Sequence, residues 1–135
     1  RDVVDDAVVV VDAHRGGADA PRRGIARVVA KDATTDAVVG WCAFWMKDGG
    51  ATAFVSGLEV RAAHRRRGVA SALVRRVERE CAALGASRCA LSVNKTNRVA
   101  MATYERLGYV VDDEARGAMA WVMDPLVLVQ HRMSK

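Results

Sequence analysis

Apolar positions follow two rhythms along this chain. Runs at 7–13, 25–31, 38–46 and 51–60 are continuous or alternate with a period of two, with β-branched and aromatic content that predicts strands. Segment 38–46 carries Val39, Trp41, Ala43 and Trp45 on one side and Val38, Gly40, Cys42, Phe44 and Met46 on the other. A strand apolar on both sides belongs in the middle of a sheet, so its tryptophans read as core rather than as a ligand platform. Segments 32–36 and 47–50 supply turns, and 14–24, rich in Gly, Arg and Pro, reads as a loop.

From Gly68 to about Leu84 the rhythm changes. Ala70, Leu73, Val74, Val77, Cys81 and Leu84 recur at three- and four-residue steps, the single buried face of a helix. Arg75, Arg76, Glu78, Arg79 and Glu80 fall on the other face, and Gly85 is placed to end the helix with a positive φ. A short strand follows at 88–93. Asn97 is placed to cap a second helix over 98–107, which Gly108 stops. A strand begins at 109–111, then a polar loop at 112–117. A last strand region spans 119–133, broken near Asp124 and Pro125. Four strands, a helix, a strand, a helix and two strands predict a mixed α/β fold: one domain over 1–135, around one twisted sheet of about six to seven strands.

Length and composition agree with one core: 135 residues, 51% apolar and 27% charged. No apolar run reaches the ~18 residues that a membrane-spanning helix needs. Cys42, Cys81 and Cys89 are widely spaced in apolar surroundings with no metal-ligand pattern. Buried reduced thiols in an intracellular, cytoplasmic protein are the expectation.

A net charge of +5 suits an anionic partner. Arg61, Arg65, Arg66 and Arg67 crowd together ahead of the long helix, and no aromatic residue lies between Val55 and Ala102. Nucleic-acid surfaces interleave charge with stacking aromatics, so the cluster is sized for one small anion instead. The unit is strand, basic glycine loop, helix. A helix N-terminus leaves N–H groups unpaired and carries partial positive charge, so it binds phosphate. Small residues at Gly68 and Ala70 let a diphosphate approach the backbone.

The pattern Arg65-x-x-Gly68-x-Ala70 resembles the R/Q-x-x-G-x-G/A hallmark of the GNAT family of N-acetyltransferases, with Ala where many members have Gly. The stretch from Asn97 through Ala100, Tyr104 and Glu105 to Gly108 and Tyr109 is similar to that family's N-x-x-A-x-x-x-Y-E-x-x-G-F/Y segment, at matching separation. The resemblance implies a GNAT-like fold that takes acetyl-CoA as cosubstrate, with no metal, and acetylates a primary amine. Leu58, Glu59 and Val60 would form the strand end that pairs with the pantetheine arm. Arg65, Arg66, Arg67, Gly68, Val69, Ala70 and Ser71 would hold the pyrophosphate, and Asn97 would touch the cofactor near its pantetheine. Tyr104 stands where the family's tyrosine protonates the departing thiolate, a step for which a positioned acid contributes about 10²–10⁴-fold.

Two departures from the pattern concern the acceptor. Several relatives carry a glutamate five positions before the asparagine as base; here that position is Ser92. Glu59 is the nearest ionisable alternative, although it alternates away from Leu58 and Val60. The helices that wall the acceptor site in the family are reduced or missing, since 14–24 is too short; they are absent or precede Arg1. An open groove leans toward a peptide or protein amine over a small molecule, acting in a monomer or homodimer. The alternatives are a catalytically inactive CoA-binding regulatory module and a basic nucleic-acid-binding domain.

Overall fold

A computed structural model describes residues 2–5, 8–12, 26–93, 96–111 and 126–130. Eight strands are described: β1 Asp2–Asp5, β2 Val8–Asp12, β3 Ala26–Asp32, β4 Val38–Lys47, β5 Thr52–Val60, β6 Arg88–Val93, β7 Val110–Val111 and β8 Leu126–Gln130. Helix α1 spans Val69–Ala83 and α2 spans Arg98–Arg106. The strands form one sheet in the order β1-β2-β3-β4-β5-β6-β8-β7. Adjacent strands run antiparallel except β5 and β6, which are parallel.

The expected mixed α/β class holds, and β4 lies mid-sheet as its two apolar sides require. The count exceeds six to seven because Asp2–Asp5 pairs with β2, a strand too short and acidic to show a periodic signal. The loop expected at 14–24, the question of N-terminal helices and the loop at 112–117 lie outside the described residues. So does most of the 119–133 region beyond Leu126–Gln130.

Turn chemistry follows the local sequence. The Asp32 carboxylate accepts from the backbone N–H groups of Thr34 at 2.8 Å and Thr35 at 3.0 Å, an Asx turn. Those N–H groups, Thr35 first, hold its carboxyl below the usual value. Gly85 ends α1 at φ 100° and Gly108 follows α2 at φ 95°, conformations that L-residues with a Cβ resist.

Helix α1 packs on the sheet with Val69, Leu73, Val74, Val77 and Cys81 buried against Cys42, Phe44, Val55, Cys89 and Leu91. Burying Leu73 alone contributes roughly 2 kcal/mol. Gly40 of β4 makes the approach close. A Cβ there would sit 3.1 Å from the Glu59 carbonyl oxygen, 3.2 Å from Leu73 Cδ1 and 3.3 Å from Val69 Cγ1. A side chain there would press on all three, which would have to give by a few tenths of an ångström.

The three cysteines are buried and unpaired to one another by disulfide, and burial pushes the Cys42 thiol up to about 12. Such thiols behave as small hydrophobes. One expectation for α1 fails: Glu78 belongs to its buried face, not the solvent face. The Tyr109 hydroxyl donates to Glu78 Oε2 at 3.1 Å, and Arg75 approaches Oε1 at 3.7 Å. A buried carboxylate persists where such partners satisfy it. Position 78 lies four residues after Val74 and three before Cys81, so geometry placed it on the core stripe all along. Tyr109 also meets Tyr104 edge-on, with ring centroids 5.9 Å apart, which fixes the end of α2 on the same sheet face as α1.

Candidate functional site

The sheet opens at its one described parallel pair. Pairing between β5 and β6 runs from Thr52↔Arg88 to Val55↔Leu91 and stops. Beyond it, β6 continues against β8 through Ser92 and Val93, while among the described residues β5 continues only against β4. A bulge marks the divergence: Ala43 and Trp41 of β4 face Ser56 and Glu59 of β5, so β5 spends an extra residue, and Gly57 takes φ 64°. The Arg61 N–H bonds to the Val39 carbonyl at 2.8 Å. By alternation, the N–H and C=O of Val60 therefore point away from β4, into the opening.

Both helices begin at this end. A parallel pair whose crossover helices start beside a gap forms a crevice at the carboxyl ends of its strands, the usual ligand position in open α/β sheets. The connection from β5 to α1 is a 3-10 turn, Ala62–His64, followed by Arg65 to Gly68. Arg66 sits at φ 63° and Gly68 at φ 81°. A left-handed arginine costs roughly 1–2 kcal/mol, strain of the kind that gathers at ligand sites. At Gly68 a Cβ would meet nothing within 4 Å, so backbone conformation, not crowding, selects glycine.

No side chain caps α1, and its first turn carries no acidic residue. The first shown backbone bond of this end runs from the Ala72 N–H to the Gly68 carbonyl at 3.0 Å. The N–H groups of Val69, Ala70 and Ser71 thus form a donor set at the positive end of the helix dipole. The arginines divide the work. Arg65 Nε donates to the Val60 carbonyl at 3.0 Å, latching the loop to the tip of β5, and Arg61 Nε donates to the Val38 carbonyl at 2.8 Å. Arg66 and Arg67 are exposed at the loop surface. The Nδ1 of half-buried His64 is enclosed and takes no hydrogen bond from described residues.

On the other side of the crevice, Asn97 caps α2: its side chain accepts from the Ala100 N–H at 3.2 Å. Tyr104, two turns on, is 8% exposed on the inner side. Burial, with the Cys42 thiol adding a little, pushes its phenol up to about 12. Tyr104 therefore stays protonated across any working pH. Leu58 and Val60 pack toward the core while Glu59 is exposed, on the face opposite the helices. The fold thus brings Leu58 to Val60, Arg65 to Ser71 and Asn97 to the end where β5 and β6 part, with Tyr104 buried in the core nearby, against Tyr109 and near Cys42.

Three features escaped sequence reasoning. The bulge at Gly57 had a weak signal, an isolated glycine inside a strand pattern. Trp41, expected in the core, is 37% exposed, because β4 and β5 place it opposite Glu59 on the face away from both helices. Trp45 by contrast stacks on Phe54, with centroids 4.9 Å apart. The Arg65 latch had no sequence signal, since side-chain direction follows from the loop's backbone. Among the described residues, no helix is long and apolar enough to cross a membrane, and no cluster of His, Cys, Asp and Glu could hold a metal ion.

Comparison with known proteins places this geometry. The model of the acetyltransferase (GNAT) family matches residues 8–109. No curated protein sequence matches the chain. Among solved structures, nourseothricin acetyltransferase is 22% identical with a TM-score of 0.63, covering 79% of this chain and 64% of its own. The PaiA N-acetyltransferase of Thermoplasma acidophilum, in complex with coenzyme A, is 16% identical with a TM-score of 0.67, covering 79% and 60%. A GNAT family acetyltransferase of Elizabethkingia anophelis with acetyl-CoA bound is 11% identical with a TM-score of 0.74, covering 94% and 99%. The chain thus spans under two thirds of the length of the first two of these relatives.

Proposed function

The chain belongs to the acetyltransferase (GNAT) family, and from that premise we propose that it transfers the acetyl group of acetyl-CoA to a primary amine. One observation carries the reading. The strand pair β5–β6 opens beside an uncapped helix N-terminus that a left-handed Gly68 introduces, a crevice with an anion site at its mouth.

Acetyl-CoA, as donor, supplies an acetyl thioester. The N–H groups of Val69, Ala70 and Ser71, with Arg66 and Arg67, hold its diphosphate by dipole and charge. The outward backbone groups of Leu58 and the outward N–H of Val60 align its pantetheine arm as an added strand would. Asn97 borders that arm from the start of α2. Fixing donor and amine in one crevice supplies most of the acceleration. As the amine nitrogen bonds to the carbonyl carbon and the carbon–sulfur bond breaks, Tyr104 gives its proton to the leaving sulfur. Glu59, exposed on the face opposite the helices, takes the proton that the amine gives up.

Calorimetric titration of the chain with acetyl-CoA, paired with a thiol-release assay over a panel of amines and peptides, tests the reading. Saturable binding with amine-dependent release of CoA is the expected result. Binding of acetyl-CoA without release in the presence of any amine would leave a binding module and refute transfer.

A further inference from the structure

The acceptor side of the crevice holds a pair that no comparison assigns. Trp41 of β4 and Glu59 of β5 are cross-strand partners, so their side chains leave the same face of the sheet with Cβ atoms about 5 Å apart. Both are exposed, the indole at 37%. No described residue pairs with the Glu59 carboxylate or stacks on the Trp41 ring. Glu59 lies on the stretch of β5 that has parted from β6, and Trp41 lies beside it on β4, both on the face away from α1 and α2. The helices, the arginine loop and Tyr104 occupy the donor's side, so an acceptor enters from the opposite face and meets this pair.

Resting on the transferase reading above, we propose that Trp41 and Glu59 form an ammonium site that selects the acceptor as a monocationic aliphatic amine. A primary alkylamine is protonated near neutral pH. An indole face attracts such a cation through its quadrupole, and a carboxylate beside it supplies the counter-charge. Charge on the same face limits the class further. Arg27 of β3 lies opposite Ala43, two residues from Trp41, and Arg61 follows Glu59 by two residues. A second ammonium would meet one of these guanidinium groups, so polyamines are disfavoured. In the productive step the bound ammonium passes its proton to the Glu59 carboxylate, and the neutral nitrogen attacks the thioester carbonyl.

The test has a binding arm and a turnover arm. Titration of n-butylammonium should shift the Trp41 indole N–H resonance, whereas n-butanol at the same concentrations should not. In steady-state thiol release with acetyl-CoA, wild type should favour n-butylamine over 1,4-diaminobutane and over O-methylhydroxylamine, which is neutral at the assay pH. Trp41→Leu should raise the acceptor KM about two- to fivefold, the worth of an exposed cation–π contact, leaving the acetyl-CoA KM unchanged. Trp41→Phe should recover part of that loss. An unshifted indole resonance, or an acceptor KM unchanged in Trp41→Leu, overturns the ammonium site. An indole that shifts while no amine is turned over refutes the transferase reading and leaves the site standing.

Discussion

Substituting Gly68 separates backbone conformation from charge at the mouth of the crevice. Gly68 holds φ 81° and ψ 9°, and a Cβ would have open space around it, so steric contact contributes nothing to the outcome. Gly68→Ala forces an L-residue with no local hydrogen-bonding group into the left-handed region, costing about 1.5 kcal/mol. At roughly 2.1 cal/mol/K per residue, a chain of 135 residues should lose about 5 °C in Tm. Gly68→Asn should lose much less, because asparagine tolerates that region. Gly68→Asp tolerates it too but adds a negative charge. Two diphosphate charges about 5 Å away, at an effective dielectric near 80, oppose it by about 1.7 kcal/mol, roughly twentyfold in acetyl-CoA Kd. Calorimetry on Asn and Asp variants should show that gap at low salt and a narrower one at high salt. Equal affinities for the two would place the diphosphate elsewhere. A Gly68→Asn as unstable as Gly68→Ala would refute the conformational argument.

Tyr104→Phe should lower kcat about 10²-fold or more with little change in acetyl-CoA Kd, and an unchanged kcat would remove the phenol from the reaction. Because Tyr104 titrates at about 12, the wild-type rate should show no alkaline decline owed to this group within the protein's stable range. Glu59→Gln should depress kcat while calorimetric acetyl-CoA affinity stays as in wild type; retained kcat would show that water takes the proton. Burial raises the Glu78 carboxyl above its ordinary value of 4.5, so the folded state binds the proton more tightly than the unfolded one. The contribution of this group to stability should therefore be fully present below about 4.5 and be lost as pH rises through the elevated value. Glu78→Gln should flatten that slope in Tm against pH, and Tyr109→Phe, which removes a donor from the buried carboxylate, should cost about 1–3 kcal/mol in urea unfolding. Gly40→Ala should cost about 1–3 kcal/mol by crowding Leu73, Val69 and the Glu59 carbonyl, and unaltered stability would show that α1 can lift without loss.

The chain announced its elements where a local rule decides them. Gly85 and Gly108 end helices because positive φ selects glycine, and Asn97 caps α2 because a short polar side chain reaches its third N–H. The strand–loop–helix unit was legible because its parts lie in sequence order: a strand end, a basic loop, a helix start. What stayed hidden depends on partners far apart in sequence. Glu78 sits on the core stripe by spacing, but its charge reads as surface until Tyr109, 31 positions away, is seen to satisfy it. Trp41 is exposed because β5 sets its register through a bulge, and no pattern within β4 reports that. The Arg65 latch needs the loop's path before its direction has meaning.

The parting of β5 from β6 also has a bearing on solubility. Residues past Val55 present a row of backbone donors and acceptors with no strand beside them on that side among the described residues, and such a row inside a sheet invites another chain to add itself. Two devices already described guard it. The Gly57 bulge breaks the regular spacing that an intruding strand would need, and the Arg65 guanidinium covers the last outward carbonyl, that of Val60. The latch that ties the loop to the tip of β5 should thus also discourage strand addition between copies. A chain lacking that arginine should aggregate more readily when empty, and saturating ligand should suppress the difference.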